Sequence, residues 1–258
     1  MDGNRRQAYD RGQTIFSPDG RLYQVEYARE AVERGSPAVG VRAADGVVLA
    51  ARKRLASPLL DADSVAKLHR VDDHLAIASA GHAADARQLV ERARLEAQRH
   101  RLRYGEPAPV DSVTTDLADH VQESTQTGGT RPFGAALLVA GVDPSGTADP
   151  SAGHGQLYEV DPSGTPYGWQ AVGIGDGADA IRGRLEDGTA SPGGETTRSL
   201  EDDALTIDDA MTVALDGLAA EDEDPDPDAY ECLTIEPGPT ITRRTREEIA
   251  SSLPGAAS

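Results

Sequence analysis

Two long amphipathic stretches stand back to back in the middle of this chain, with short apolar runs on either side. That order constrains the fold more than any other feature. His82–Arg103 places Ala86, Leu89, Val90, Ala93 and Ala97 on one helical face and ends at Tyr104-Gly105. Val110–Thr127 does the same with Val113, Leu117 and Val121, and stops at Gly128-Gly129. Ahead of them lie Pro37–Arg42 and Gly46–Arg52, a hairpin turning at Ala43-Ala44-Asp45. Val65–Val71 and His74–Ser79 form a second hairpin about Asp72-Asp73. Behind them, the continuous apolar run Gly134–Gly141 suits a buried strand. Gln156–Val160 and Tyr167–Ile174 are further strands, and Asp176–Glu186 and Ile207–Ala220 are helices. Ala229–Ile235 and Thr240–Arg243 close the pattern as strands, with a helical turn over Thr245–Ser251. Strands and helices come in blocks, which argues against alternating βαβ units. The pattern predicts an α+β fold of two sheets covered by helix layers.

The first 14 residues carry almost no apolar content and read as a disordered tail. Ser17-Pro18-Asp19-Gly20 is a turn, with Pro preset at its second position and Gly at its fourth. A helix follows. Leu22, Val25, Ala28 and Val32 make one stripe, Tyr23, Tyr27 and Ala31 an adjacent one, and Gly35 is the stop. The segments Asp143–Gly155, Gly188–Thr197 and 221–228 are polar loops, the last strongly acidic.

Charge narrows the partners. Acids outnumber bases 44 to 25, for a net charge of −19 over 258 residues. A nucleic-acid binder needs the opposite sign to neutralise phosphates, and so does a protein held on an anionic membrane. Lys53 and Lys67 are the only lysines; every other base is Arg. Many acids, little Lys and only 4% aromatic residues resemble the habit of salt-adapted haloarchaeal proteins. The one cysteine, Cys232, excludes an intrachain disulfide. No apolar run approaches the ~20 residues of a membrane span, and the polar start of the chain is unlike a signal peptide. The expected location is the cytoplasm.

Several segments together resemble one family. Tyr9-Asp10-Arg11, followed by Phe16-Ser17-Pro18-Asp19-Gly20-Arg21-Leu22-Tyr23-Gln24-Val25-Glu26-Tyr27-Ala28-Arg29-Glu30-Ala31, is similar to the opening of proteasome α-type subunits. The similarity continues through Lys67, Ala80-Gly81, Ala84-Asp85-Ala86-Arg87, Thr127–Gly134, Leu157–Gly164 and Ala171–Gly175. The resemblance implies an N-terminal-nucleophile hydrolase sandwich with layers αββα and an extra N-terminal helix. It divides the chain into a flexible gate tail (1–15), a turn and helix (16–35), the sandwich (36–250) and a flexible C-terminus (251–258). It implies a non-catalytic subunit in a seven-membered α ring, stacked on β subunits that hold the proteolytic sites. The further partners implied are a proteasome-activating ATPase and unfolded protein substrates.

The same resemblance assigns residues. Tyr9, Asp10, Arg11, Pro18 and Tyr27 are expected to form the gate, although Tyr27 also suits plain core packing of the first helix. Lys67 is expected in a pocket that pairs with the C-terminal carboxylate of an activator tail, with Gly81 allowing close backbone approach there. The family's chemistry needs a threonine whose own α-amine is the base. The chain starts Met1-Asp2, and the internal pair Gly129-Thr130 reads as structural, since a cut there would remove half the sheets. The alternatives are an active β-type hydrolase of the same fold and a nucleotide-binding enzyme using Gly173–Ala178.

Other motifs are weak. Gly173-Ile174-Gly175-Asp176-Gly177-Ala178 fits a dinucleotide-binding turn but lies outside any βαβ unit, so a tight strand-to-helix turn is expected. Asp222, Asp224, Asp226 and Asp228 alternate as in a calcium loop but lack its Gly and closing Glu. The six His show no metal spacing, so no metal or cofactor is expected. Cys232 in its apolar run reads as a core residue.

Overall fold

A computed structural model describes residues 16–17, 20–55, 57, 59–127, 129–144, 153–186, 205–220, 222, 224–238 and 240–254. Helix α1 (Tyr23–Glu33) comes first, followed by β1 (Ala38–Ala43), β2 (Gly46–Arg52), β3 (Leu68–Arg70) and β4 (Leu75–Gly81). Then come α2 (Ala83–Tyr104), α3 (Val110–Gln126), β5 (Ala135–Val142), β6 (Gly155–Val160), β7 (Pro166–Gly168) and β8 (Ala171–Ile174). Helices α4 (Ala178–Glu186) and α5 (Ile207–Leu218), strands β9 (Tyr230–Glu236) and β10 (Thr240–Arg243), and helix α6 (Arg246–Ser252) complete the order.

The strands make two five-stranded antiparallel sheets, ordered β10-β9-β2-β1-β8 and β3-β4-β5-β6-β7. Alternation along each strand sends side chains to two cores. Val47, Leu49, Ala51, Leu233 and Ile235 of the first sheet meet Ala76, Ala78, Leu138 and Ala140 of the second in the middle. Val48, Ala50 and Cys232 face outward onto α4, α5 and α6. Leu75, Ile77, Leu137 and Val139 face outward onto α2 and α3. The result is the four-layer αββα sandwich expected from the sequence.

Local chemistry sets the ends. The β1–β2 hairpin turns through Ala44-Asp45, with Ala43 opposite Gly46. Helix α2 ends at Gly105, whose φ of 77° is left-handed. Helix α3 begins with the Val110 amide donating to the buried Asp143 carboxylate at 3.0 Å. A reciprocal capping box, Thr245 with Glu248, opens α6.

Three expectations need correction. Tyr167–Ile174 is not one strand: β7 pairs with β6 and β8 pairs with β1, in different sheets. Trp169-Gln170 carry the chain across, the Trp169 amide donating to Leu157 O and the Gln170 carbonyl accepting from the Arg42 amide. Both halves have strand-forming residues, so propensity alone could not show the change of sheet. The strand expected over Val65–Val71 is only Leu68–Arg70, the residues that pair with Ala76–Ala78; the Val65 amide still closes the 3₁₀ turn on Ala62 O, and the Val71 amide already belongs to the turn, donating to Leu75 O. Residues 251–254, placed in a loose C-terminus, continue α6 to Ser252 and bury Leu253 beside Ile249. The tail 1–15, most of the loop Asp143–Gly155, all of Gly188–Thr197, and 255–258 lie outside the described residues.

Several bases in this acidic chain serve buried or half-buried acids. Arg101 reaches both oxygens of buried Asp72 at 2.9 Å, and Arg92 grips Asp116 in a fork at 2.8 and 2.9 Å. Glu33, Asp45, Glu106 and Asp119 stand exposed on the surface. At a net charge of −19 the fold repels itself unless salt intervenes. The Debye length falls from ~10 Å at about 0.1 M salt to ~3 Å at about 1 M. The melting temperature is therefore expected to climb as KCl rises from tenth-molar to molar levels. A midpoint that is flat or falls over that range rules self-repulsion out as the governing term.

Candidate functional site

The junction between α1 and β1 is Gly35-Ser36, and several distant elements converge on it. Gly35 presses against β4 so closely that a Cβ added to it would lie 2.2 Å from the Gly81 amide nitrogen. Gly81 itself has φ +95°, and a Cβ there would lie 2.3 Å from Gly134 O. Only glycine fits a left-handed position squeezed from both sides. From a third side the Asp176 amide donates to Gly35 O at 2.7 Å. The glycine-rich turn at 173–178 is thus taken by the chain's own backbone: a Cβ on Gly175 would meet Gly35 O at 2.8 Å. It is the tight strand-to-helix turn expected.

Lys67 closes the junction. It precedes β3, its amide donates to Glu231 Oε1 at 3.0 Å, and its carbonyl accepts from the Ser79 amide at 3.1 Å. Its side chain is buried, and Nζ donates to the Ser36 carbonyl. The Ser36 hydroxyl in turn donates to Arg52 O. Burial pushes the Lys67 ammonium down to about 8; Arg54 pushes the same way, while Glu231 opposes both. Among the described residues no carboxylate lies in ion-pair contact with Nζ. A cation held on a neutral carbonyl in a dry setting retains its attraction for a single carboxylate.

The chain's second lysine lies at the same spot. Lys53 Nζ is 3.5 Å from Glu231 Oε2, and Arg243 Nη1 is 2.9 Å from that oxygen. Glu231 was not among the residues marked from the sequence. Its signal was present all the same: it is the one acid inside the apolar run Ala229–Ile235.

The gate candidates divide. Tyr9, Asp10, Arg11 and Pro18 lie outside the described residues. Tyr27 is 45% exposed, so the core-packing alternative does not hold for it; Val25, Ala28 and Val32 are the buried side of α1. The turn that frames Pro18 is formed, with Gly20 N on Ser17 O at 2.8 Å and Arg21 N on Ser17 Oγ at 3.0 Å. Arg29 holds α1 to the far end of β6 through two bonds to Asp161, at 2.7 and 3.1 Å. Two other motif segments meet where Asp85 accepts from Arg131 at 2.6 and 2.7 Å and from the Gly134 amide at 2.8 Å. Burial alone would raise the Asp85 carboxyl, but these donors hold it below the usual carboxylate range.

The remaining motifs are structural in place. Cys232 is fully buried, its thiol pushed up to about 12 by burial. Thr130 donates to Thr127 O and Ser124 O within its turn. Asp222 accepts from Arg52 and Tyr230, and Asp228 from Arg246. Among the described residues no group of three His, Cys, Asp or Glu could hold a metal ion, and no helix is long and apolar enough to cross a membrane.

Comparison with known proteins decides the family. Residues 32–223 match the family model described as proteasome subunit, and residues 9–31 match the N-terminal signature of A-type proteasome subunits. The chain belongs to the proteasome subunit family. Its α-type signature covers Tyr9 through Ala31, so it spans the turn and nearly all of α1. The chain is 50% identical over 235 residues to the proteasome alpha 2 subunit of Haloferax volcanii, covering 91% of this chain and 86% of that one. It is 52% identical over 224 residues to the proteasome alpha 2 subunit of Haloarcula marismortui, covering 87% and 84%. It is 46% identical over 253 residues to the proteasome alpha subunit of Natronomonas pharaonis, covering 97% and 91%. The acidic, lysine-poor composition of this proteasome subunit accords with relatives from these organisms.

Proposed function

We propose that this chain builds the outer, seven-membered α ring of a proteasome core, controls entry of unfolded protein through an axial gate, and docks the C-terminal tails of an activating ATPase at Lys67. The observation that carries the docking reading is the buried Lys67 ammonium, which donates to a carbonyl of the α1–β1 junction and has no carboxylate in ion-pair contact among the described residues. A tail carboxylate placed there makes a charge-assisted bond in a low-dielectric cleft. The gate is assigned to Tyr9, Asp10, Arg11, Pro18 and Tyr27, with half-exposed Tyr27 on the helix that leads to the junction.

The chain is proposed to have no peptidase activity of its own. An N-terminal nucleophile needs a free amine where its strand begins. Here α1 runs through Gly35-Ser36 straight into β1, and the Ser36 hydroxyl is bonded to Arg52 O. The ring and its partners can be tested together. Native mass spectrometry of the purified chain is expected to show a closed ring of identical copies without peptidase activity, and addition of β subunits confers that activity. Peptide hydrolysis by the α ring alone, surviving removal of any β contaminant, would return the alternative of an active β-type hydrolase.

A further inference from the structure

We propose that Glu231 is the positioning residue of the Lys67 site: it fixes the backbone from which the lysine extends and supplies the negative charge that keeps the ammonium ready for a carboxylate. The proposal rests on the docking reading above and names the residue that makes such a site work.

Geometry carries the argument. Glu231 lies on β9, and its side chain is 4% exposed. Its Oε1 takes two consecutive backbone amides, Lys67 at 3.0 Å and Leu68 at 3.2 Å. Residues 67–68 are where the chain enters β3, after the 3₁₀ turn that ends at Ser64, so the carboxylate sets the point from which the lysine projects. Its Oε2 faces Lys53 and Arg243. A buried carboxylate without such donors would be costly, and with them it is a fixed negative charge. The cluster spans four strands, since Lys53 follows β2 and Arg243 ends β10.

The charges around Lys67 come from every side. Arg54 follows Lys53 and pairs with Asp176 at 2.8 Å. His69 is two residues along β3, lowered first by burial and then by Arg94, with Glu231 acting against both. Lys53 and Arg243 are cations on the far side of Glu231. Glu231 is thus the group opposing burial and Arg54 in setting the Lys67 charge. A lysine near 8 is protonated below that pH and neutral above it. Docking of a tail carboxylate is therefore full in mildly acid and neutral solution and fades as pH rises through the lysine's titration.

With only two lysines, the test reads the residue directly. The full chain is labelled with ¹³C at its lysine side chains, and the two Cε signals are followed against pH by NMR. Lys53→Arg identifies which is which. The Lys67 signal is expected to titrate near 8 in the native chain. In Glu231→Gln it is expected lower by about one pH unit or more, the size of effect a nearby opposite charge exerts. Glu231→Asp, which keeps the charge but withdraws it from the two amides, is expected to fall between them. A folded Glu231→Gln chain with an unmoved Lys67 titration overturns the proposal. Where Glu231→Gln does not fold, Glu231→Asp decides: a lowered midpoint supports the proposal and a native one overturns it. The titration needs no activator, so it judges Glu231 apart from the docking reading. A Lys67→Ala ring that still responds to the ATPase overturns docking at this lysine, and Glu231's part in it, whatever the titration shows.

Discussion

A core particle assembled with Lys67→Ala is expected to retain its basal peptidase activity and to lose stimulation by the ATPase. The β subunits are untouched, so the chemistry of hydrolysis does not change. What disappears is the buried cation at the α1–β1 junction, whose Nζ reaches Ser36 O. Truncating one partner of a buried, hydrogen-bonded charge pair costs roughly 2–5 kcal/mol, or about 30-fold and upward in affinity. In the proposed seven-membered ring, seven weakened sites compound that loss through lost avidity. Lys67→Arg is a useful companion. It keeps a charge at every accessible pH but replaces a compact ammonium with a broad fork, so it should retain weak stimulation with little pH dependence. Peptide hydrolysis measured with and without ATPase and ATP checks both variants. Undiminished stimulation of Lys67→Ala would place the docking site elsewhere.

Deleting residues 2–12 is expected to raise peptide hydrolysis by the assembled particle several-fold with no activator present. The deleted stretch contains Tyr9, Asp10 and Arg11, while the turn framed by Ser17 and Gly20 and the helix after it are left intact. The loss therefore removes the residues assigned to the proposed gate without disturbing the described core. An unchanged basal rate would sink the gating proposal. Combining the deletion with Lys67→Ala separates the two functions: the double variant should show the raised rate of the deletion. If instead Lys67→Ala suppresses that rate, the lysine has a role in the ring beyond docking.

Much of the fold was legible because periodicity is a local property. The stripe Val25, Ala28, Val32 and the faces of α2 and α3 appear in the sequence as they are buried in the structure. The two-sheet architecture followed from the blockwise order of elements. The change of sheet at Trp169-Gln170 was not legible, since it depends on which distant strand each half meets. The site was legible only in part. Lys67 and Gly81 were marked through resemblance, and the structure brings both to Gly35-Ser36. Glu231 stands out as the acid in an apolar run, but what it binds was hidden, because its amide partners lie 163 and 164 positions away in the chain. No spacing rule connects a strand near the C-terminus to the start of β3.

The crowding at Gly35 has a consequence for how the ring could respond. The seat that an anion takes in a glycine-rich turn is filled here by the chain's own carbonyl, gripped by the Asp176 amide. Ser36 next to it is tied to Arg52 and Lys67, and Gly81 leaves no slack behind. The inner end of α1 is therefore a fixed bearing. From Tyr27 to the end of the helix at Glu33 is about 9 Å of helical rise, so a small tilt imposed at the bearing sweeps the Tyr27 end and the turn beyond it through a larger arc.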